Sequence, residues 1–299
     1  MGSIVIRDIP HTYEFQPCPG ATTLVFVHGW LLSHVYWTPL LQHLSGEFQC
    51  LVYDLRGFGD STVPGSSSPS PPRAYAPAAY AEDLEHLLTA LNIERAWLVG
   101  HSLGGAIALW TASLYPDRIQ GVICINSGGG IYLQQEFERF RRFGTQLVKS
   151  RAPWLNWLPG LDWVFSRFSV AQPLDRCWGK QRFLDFLRAD EAAALGALLE
   201  STTETEVHHL PRLVSQLSQP AYFIGGDRDT IIEPQYVRHL ASFHPSFQGS
   251  GENLLELANC GHFAMLEQTA IVADFVKQRV SEHQNMSQTV PSRSQQRQH

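Results

Sequence analysis

Short runs of consecutive apolar residues alternate with stretches of helical periodicity along most of the chain. Residues 24–27, 48–53, 96–99 and 122–125 have strand length and almost no polar interruption. Helical patterns at 35–44, 80–91 and 103–114 separate them. The alternation resumes later, with strands at 221–224 and 253–257 and helices at 235–243 and 263–280. Unbroken apolar strands interleaved with helices predict a mostly parallel, doubly wound sheet covered on both faces, an α/β architecture. Between 127 and 218 the strands vanish and helical spacing takes over, with Trp154, Trp157, Trp163 and Trp178 inside the stretch. About ninety strandless residues between two strands of one sheet predict a helical insertion. The expected division is therefore 1–126 as the first part of the core, 127–218 as the insertion and 219–280 as the second part. Residues 281–299 carry few apolar side chains and are expected to be a disordered tail.

Composition sharpens this picture. Apolar residues make up 44% and charged residues 17% of 299, enough for a sizeable core. A formal charge of −6 argues against a general nucleic-acid binder. No apolar run approaches the length of a membrane span, and the start of the chain lacks a signal-peptide pattern, so a cytoplasmic protein is expected. The five cysteines are scattered, without a CxxC pair, so neither a zinc site nor a disulfide framework is expected.

The sharpest motif is Gly100-His101-Ser102-Leu103-Gly104-Gly105. GxSxG arises by chance on the order of 0.1 times in a chain of this size, so its context carries the weight. It directly follows a predicted strand and opens a predicted helix. A serine on such a turn needs glycines two positions either side, because side chains there collide with neighbouring backbone. The helix N-terminus behind it favours developing negative charge. A serine hydroxyl needs a base, and the base an orienting acid. His262 follows the strand at 253–257, and Asp229 follows the strand at 221–224, with Asp227 as its rival. All three sit at C-terminal strand ends, where open parallel sheets bind ligands. The order Ser, Asp, His is the one that accompanies this elbow. For the two backbone donors of an oxyanion hole, Leu103 follows the nucleophile and Trp30 stands in the loop after the first apolar strand. His101 is read as facing away, and His208-His209 lacks a third ligand.

These stretches resemble the α/β-hydrolases that carry an HG-x oxyanion loop and a GxSxG elbow. The matching residues are Val27-His28-Gly29-Trp30, Tyr53 through Ser61, Gly100 through Gly105, Gly226 through Asp229, and Gly261-His262-Phe263. The resemblance spans roughly residues 20–280 and implies a helical cap after the sixth strand, matching 127–218. It also implies structural roles for Asp54 and Arg56. Relatives that cleave carbon–halogen bonds or epoxides carry Asp at the position of Ser102, which disfavours those activities. Asn126 or Ser127 stands where some relatives place the acid, which leaves Asp229. No metal and no cofactor is expected; Gly57-Phe58-Gly59 lacks the third glycine of a dinucleotide fingerprint.

In the insertion, Phe137, Phe140, Phe143 and Leu147 recur at helical spacing among Glu136, Arg139, Arg141, Arg142, Lys149 and Arg151. The stripe is read as packing on the hydrolase body with the charges in water; a weak contact with a membrane or an acidic carrier is the sharper alternative. Trp30, Trp154 and Trp157 are the expected substrate-binding side chains, with Trp163, Phe165 and Phe168 adding apolar surface. No motif in the insertion suggests a carboxylate clamp. The expected activity is hydrolysis of a carboxylic ester or thioester with a lipophilic acyl or alcohol group. The resemblance equally implies, as alternatives, carbon–carbon bond hydrolases, cofactor-free haloperoxidases and lyases, which look alike at these motifs, and small-molecule receptors of this fold.

Overall fold

The structure, a computed structural model, describes residues 1–62, 73–128, 134–152, 155, 157–248 and 251–289. Thr23–Val27 (β3) is buried at every position, with Val25 and Val27 in one core and Leu24 and Phe26 in the other. This two-sided burial recurs in Gln49–Tyr53 (β4), Ala96–His101 (β5), Ile119–Ile125 (β6) and Ala221–Gly226 (β7). Strands with both faces in the core have no side to show water, which is why they read as unbroken apolar runs. These five strands and Leu254–Leu257 (β8) run parallel in the order β4-β3-β5-β6-β7-β8.

Two further strands, Gly2–Ile6 (β1) and Ile9–Gln16 (β2), extend the sheet antiparallel beside β4. The apolar pattern did not predict them. Ile6 pairs with Ile9 across a two-residue turn in which Arg7 and Asp8 both have positive φ, 50° and 65°. Such turns usually announce themselves with Asn-Gly or Asp-Gly, and Arg-Asp carries no such signal.

One face of the sheet is covered by Thr38–Leu44 (α1), Ala264–Glu267 (α10) and Thr269–Thr289 (α11). The other packs against Pro77–Ala90 (α2), Leu103–Leu114 (α3), Glu204–Gln216 (α8) and Pro234–Ser242 (α9). Between β6 and β7 stand Gln134–Lys149 (α4), Leu161–Phe165 (α5), Arg176–Arg188 (α6), Glu191–Ser201 (α7) and α8, with no strand among the described residues. The chain steps outward from β3 to β4 and then back to β5, so β3 and β5 flank the point where strand order reverses. The loops leaving their C-terminal ends open into one crevice there.

The expected disordered tail begins too early. α11 continues to Thr289, and within it His283 Nε2 meets the Tyr222 hydroxyl at 2.8 Å and Gln284 reaches the Thr22 hydroxyl. These polar contacts hold a segment that apolar content alone does not reveal; residues 290–299 lie outside the described residues. Among the described residues no helix is long and apolar enough to cross a membrane.

Candidate active site

Ser102 sits between β5 and α3 with φ 52° and ψ −118°, a backbone conformation that costs on the order of 1–3 kcal/mol for a residue with a side chain. The surrounding packing holds it there. Ser102 N–H donates to the Ile125 carbonyl at 2.9 Å, tying the turn to β6. A Cβ at Gly100 would lie 2.2 Å from the Gly104 carbonyl oxygen, and one at Gly104 would lie 2.0 Å from that of Val27. Gly100 therefore lets helix α3 start directly against β5, and Gly104 lets it sit against the end of β3. Leu103 opens the helix, so its N–H has no partner within it.

Opposite the elbow, the loop after β3 carries His28, Gly29 and Trp30. The buried His28 ring bridges two loops: Nδ1 donates to the Gly29 carbonyl and Nε2 accepts from Leu55 N–H, at 2.8 and 2.9 Å. Burial pulls this imidazole down to about 4, so it stays neutral and can both donate and accept. Trp30 lines the cavity above Ser102, while its indole N–H donates to the Ala194 carbonyl of α7 at 2.8 Å. Asp54 and Arg56 occupy framework positions. Asp54 accepts from the His34 N–H and ring and from Asp60 N–H, and Arg56 pairs with Asp83 at 2.9 Å.

His262 and Asp229 meet directly, His262 Nδ1 donating to Asp229 Oδ2 at 2.8 Å. Asp229 is buried and fully engaged. Its Oδ1 accepts from Ile231 and Ile232 N–H at 2.8 and 3.0 Å, and Oδ2 also accepts from Asn126 Nδ2 at 3.0 Å. Burial alone would raise its carboxyl, but the facing His262 and these backbone donors outweigh it and hold the group below the ordinary carboxylate range. Asp227 is exposed and accepts from Cys260 N–H at 3.2 Å instead. With Nδ1 committed as a donor, a neutral His262 presents Nε2 as an acceptor.

Three residues that local sequence patterns did not single out as supports hold this pair. Asn126, at positive φ after β6, also donates to the Gly261 carbonyl and accepts from Ala264 N–H. Glu267 accepts from Gly261 and Phe263 N–H on both sides of His262, and from Ala171 N–H, at 2.8–3.1 Å. His101, expected to face away, is buried with its ring 4.8 Å from that of His262, and its Nε2 donates to the His262 carbonyl at 2.7 Å. Burial, with His262 beside it, pushes His101 down to about 3, so it braces the loop as a neutral ring.

Ser102, His262, Trp30 and Leu103 line one cavity of about 250 Å³. Its walls are mostly aromatic and aliphatic: Phe140, Phe143 and Leu147 from α4, Phe165 from α5, Phe186 from α6, Leu198 from α7 and Leu210 from α8. The apolar stripe of α4 thus faces the cavity; the Phe137 side chain lies outside the described residues. Two cations assigned to water turn inward instead. Arg141 donates to the Leu199 and Thr202 carbonyls at the end of α7, and Arg151 to the Phe186 and Ala189 carbonyls at the end of α6. Trp154 lies outside the described residues. Trp157 is 86% exposed and does not line the cavity, a correction to its expected substrate contact. Trp163 is half exposed under Arg167, whereas Phe165 and Phe168 do line the cavity.

The comparisons with known proteins agree with this fold. A family model described as alpha/beta hydrolase fold matches residues 22–269. An uncharacterised protein of Mycobacterium tuberculosis is 27% identical over 91% of this chain and 82% of its own. A putative lipase from Acinetobacter baumannii superposes with a TM-score of 0.77 at 22% identity, covering 95% of this chain and 91% of the other. An esterase from Thermogutta terrifontis gives 0.70 at 22% identity, covering 92% and 94%. The family match takes in β3 through α10, and with it the loops that carry Trp30, Ser102, Asp229 and His262; the chain belongs to the α/β-hydrolase family and is a hydrolase.

Proposed function

We propose that the protein is a serine hydrolase of carboxylic esters or thioesters, with Ser102 as nucleophile, His262 as base and Asp229 as orienting acid. The observation that carries this reading is the saturated Asp229–His262 pair, which leaves Nε2 as the acceptor in a cavity that Ser102 also lines. Ser102 Oγ attacks the acyl carbonyl carbon while its proton passes to His262 Nε2. Charge on the carbonyl oxygen is received by the N–H groups of Leu103 and Trp30, reinforced by the start of α3. Collapse expels the alcohol or thiol, which takes the proton from His262. Water then repeats the sequence on the acyl-serine, releasing the acid and restoring Ser102. The aromatic walls favour a lipophilic acyl or alcohol portion.

A p-nitrophenyl ester series tests the proposal, with Ser102→Ala as control. Many turnovers per molecule in the parent protein, and a loss of several orders of magnitude in the variant, are expected. Stoichiometric binding without turnover would favour a receptor, and turnover that survives in Ser102→Ala would remove the serine from the mechanism.

A further inference from the structure

Among the described residues the cavity wall has one cationic exception. Arg182 projects from α6 into the same cavity as Ser102 and His262, yet it is only 6% exposed. Its guanidinium stacks 4.1 Å from the centre of the Phe263 ring, and Phe263 directly follows His262. Its two hydrogen bonds leave from one nitrogen, Nη1, to the carbonyls of Phe165 and Phe168, the latter at 2.9 Å. Those bonds leave Nε and Nη2 uncommitted, the side-by-side pair that matches a carboxylate.

No carboxylate of the described residues lies within 4.0 Å of this cation. Glu267, whose charge it feels, has both oxygens engaged by the three backbone N–H groups around His262. Asp185, one turn further along α6, is taken up by Ser33 and Gln181 at 2.9 and 3.0 Å. Burial lowers the guanidinium to about 10, which still leaves it charged at neutral pH. A buried cation with no carboxylate in direct contact is costly, and an anion entering the cavity would offset that cost.

We propose that Arg182 binds a carboxylate carried by the substrate, so that the preferred esters are apolar with one anionic end. The assignment of the reacting end rests on the serine hydrolase reading above. A single cation in an apolar chamber suits a monoanion; a dianionic phosphate would leave net charge buried.

The test compares p-nitrophenyl half-esters of linear four- to eight-carbon diacids with the matching neutral ω-amides. At the length that reaches Arg182, kcat/KM for the acid should exceed that for the amide by roughly tenfold or more. That ratio should collapse in Arg182→Gln and survive in part in Arg182→Lys, which keeps the charge but loses the fork. A bracing role alone would lower both substrates together. Should Arg182→Gln fail to fold, the ratio in the parent protein still decides. Calorimetric binding of the diacid monomethyl esters to Ser102→Ala, against their methyl ester amides, reads the anion site without turnover. An acid preference there supports the site even if ester hydrolysis fails. No preference at any length overturns the anion site while neutral-ester turnover keeps the hydrolase reading, and a preference undiminished in Arg182→Gln overturns it as well.

Discussion

Replacing Asp229 by Asn changes one atom and removes an arrangement that four donors depend on. The carboxylate accepts from two backbone N–H groups at Oδ1, and from His262 and Asn126 at Oδ2. An amide offers one acceptor oxygen and one NH2 group. With its oxygen kept for Ile231 and Ile232, the NH2 confronts two other donors; flipped, it confronts the backbone pair. Two buried donors without acceptors cost about 1–3 kcal/mol each, so the variant should lose about 3 kcal/mol and melt roughly 5 °C lower. His262 can relieve its share by moving the proton to Nε2, which abolishes that nitrogen as the acceptor for Ser102. The expected fall in kcat is on the order of 10⁴-fold, or about 5.5 kcal/mol in the barrier. The sign with pH follows from the lowered carboxyl: its stabilising contribution is present above the unfolded value near ~3.9 and is lost as pH falls through the folded one. The melting difference between the two proteins should therefore shrink in acid. Hydrolysis of p-nitrophenyl butyrate at pH 8 and thermal melts from pH 3 to 8 measure both effects. Asp227→Asn, at an exposed position, should change kcat by less than tenfold. A kcat for Asp229→Asn within tenfold of the parent, or greater damage from Asp227→Asn, would refute the assignment.

Gly104→Ala should cost most of the activity and much of the stability, since its Cβ would press on the Val27 and His28 carbonyls at 2.0 and 2.6 Å; Gly46→Ala, with nothing within 4 Å, should melt within about a degree of the parent. Asp185→Asn should alter the pH dependence of stability. Burial raises this carboxyl to about 6 against the hydrogen bonds from Gln181 and Ser33, so the folded protein holds a proton that the unfolded chain releases near ~3.9. The group's contribution therefore declines between pH 4 and 6. Melts should show the Asn variant gaining on the parent by on the order of 2–3 kcal/mol across that window, and a pH-independent difference would contradict it. Trp157→Ala should leave acyl-chain preference unchanged. Phe186→Ala should reduce kcat/KM for hexanoate more than for acetate, because each methylene buried against that wall is worth about 0.8 kcal/mol, or roughly fourfold.

What was legible in the sequence is what is settled within a few residues. β3 through β7 are apolar on both faces and need no partner to be recognised. The elbow is a local steric problem, solved by Gly100 and Gly104 around Ser102. β1 and β2 carry no such signal because they lie at the sheet edge, only half buried, and turn through Arg7-Asp8. The helical insertion was visible as a density of aromatics, but density does not tell inside from outside: Trp157 stands in solvent while Phe140 and Phe165 face the cavity. The charged members of the site are harder still. Arg182 reads as an ordinary helix-surface residue until Phe263, 81 positions later, is placed beneath it. Asn126 acquires its role only when Asp229 and Gly261 arrive from two other strand ends. A nucleophile can be found from the backbone it distorts, because that constraint is local. The pocket's electrostatics depend on which charges are desolvated together, and desolvation is a property of the packed chain. Residues that choose a substrate are thus the least legible part of such a hydrolase, and Arg182 is where this chain's choice can be measured.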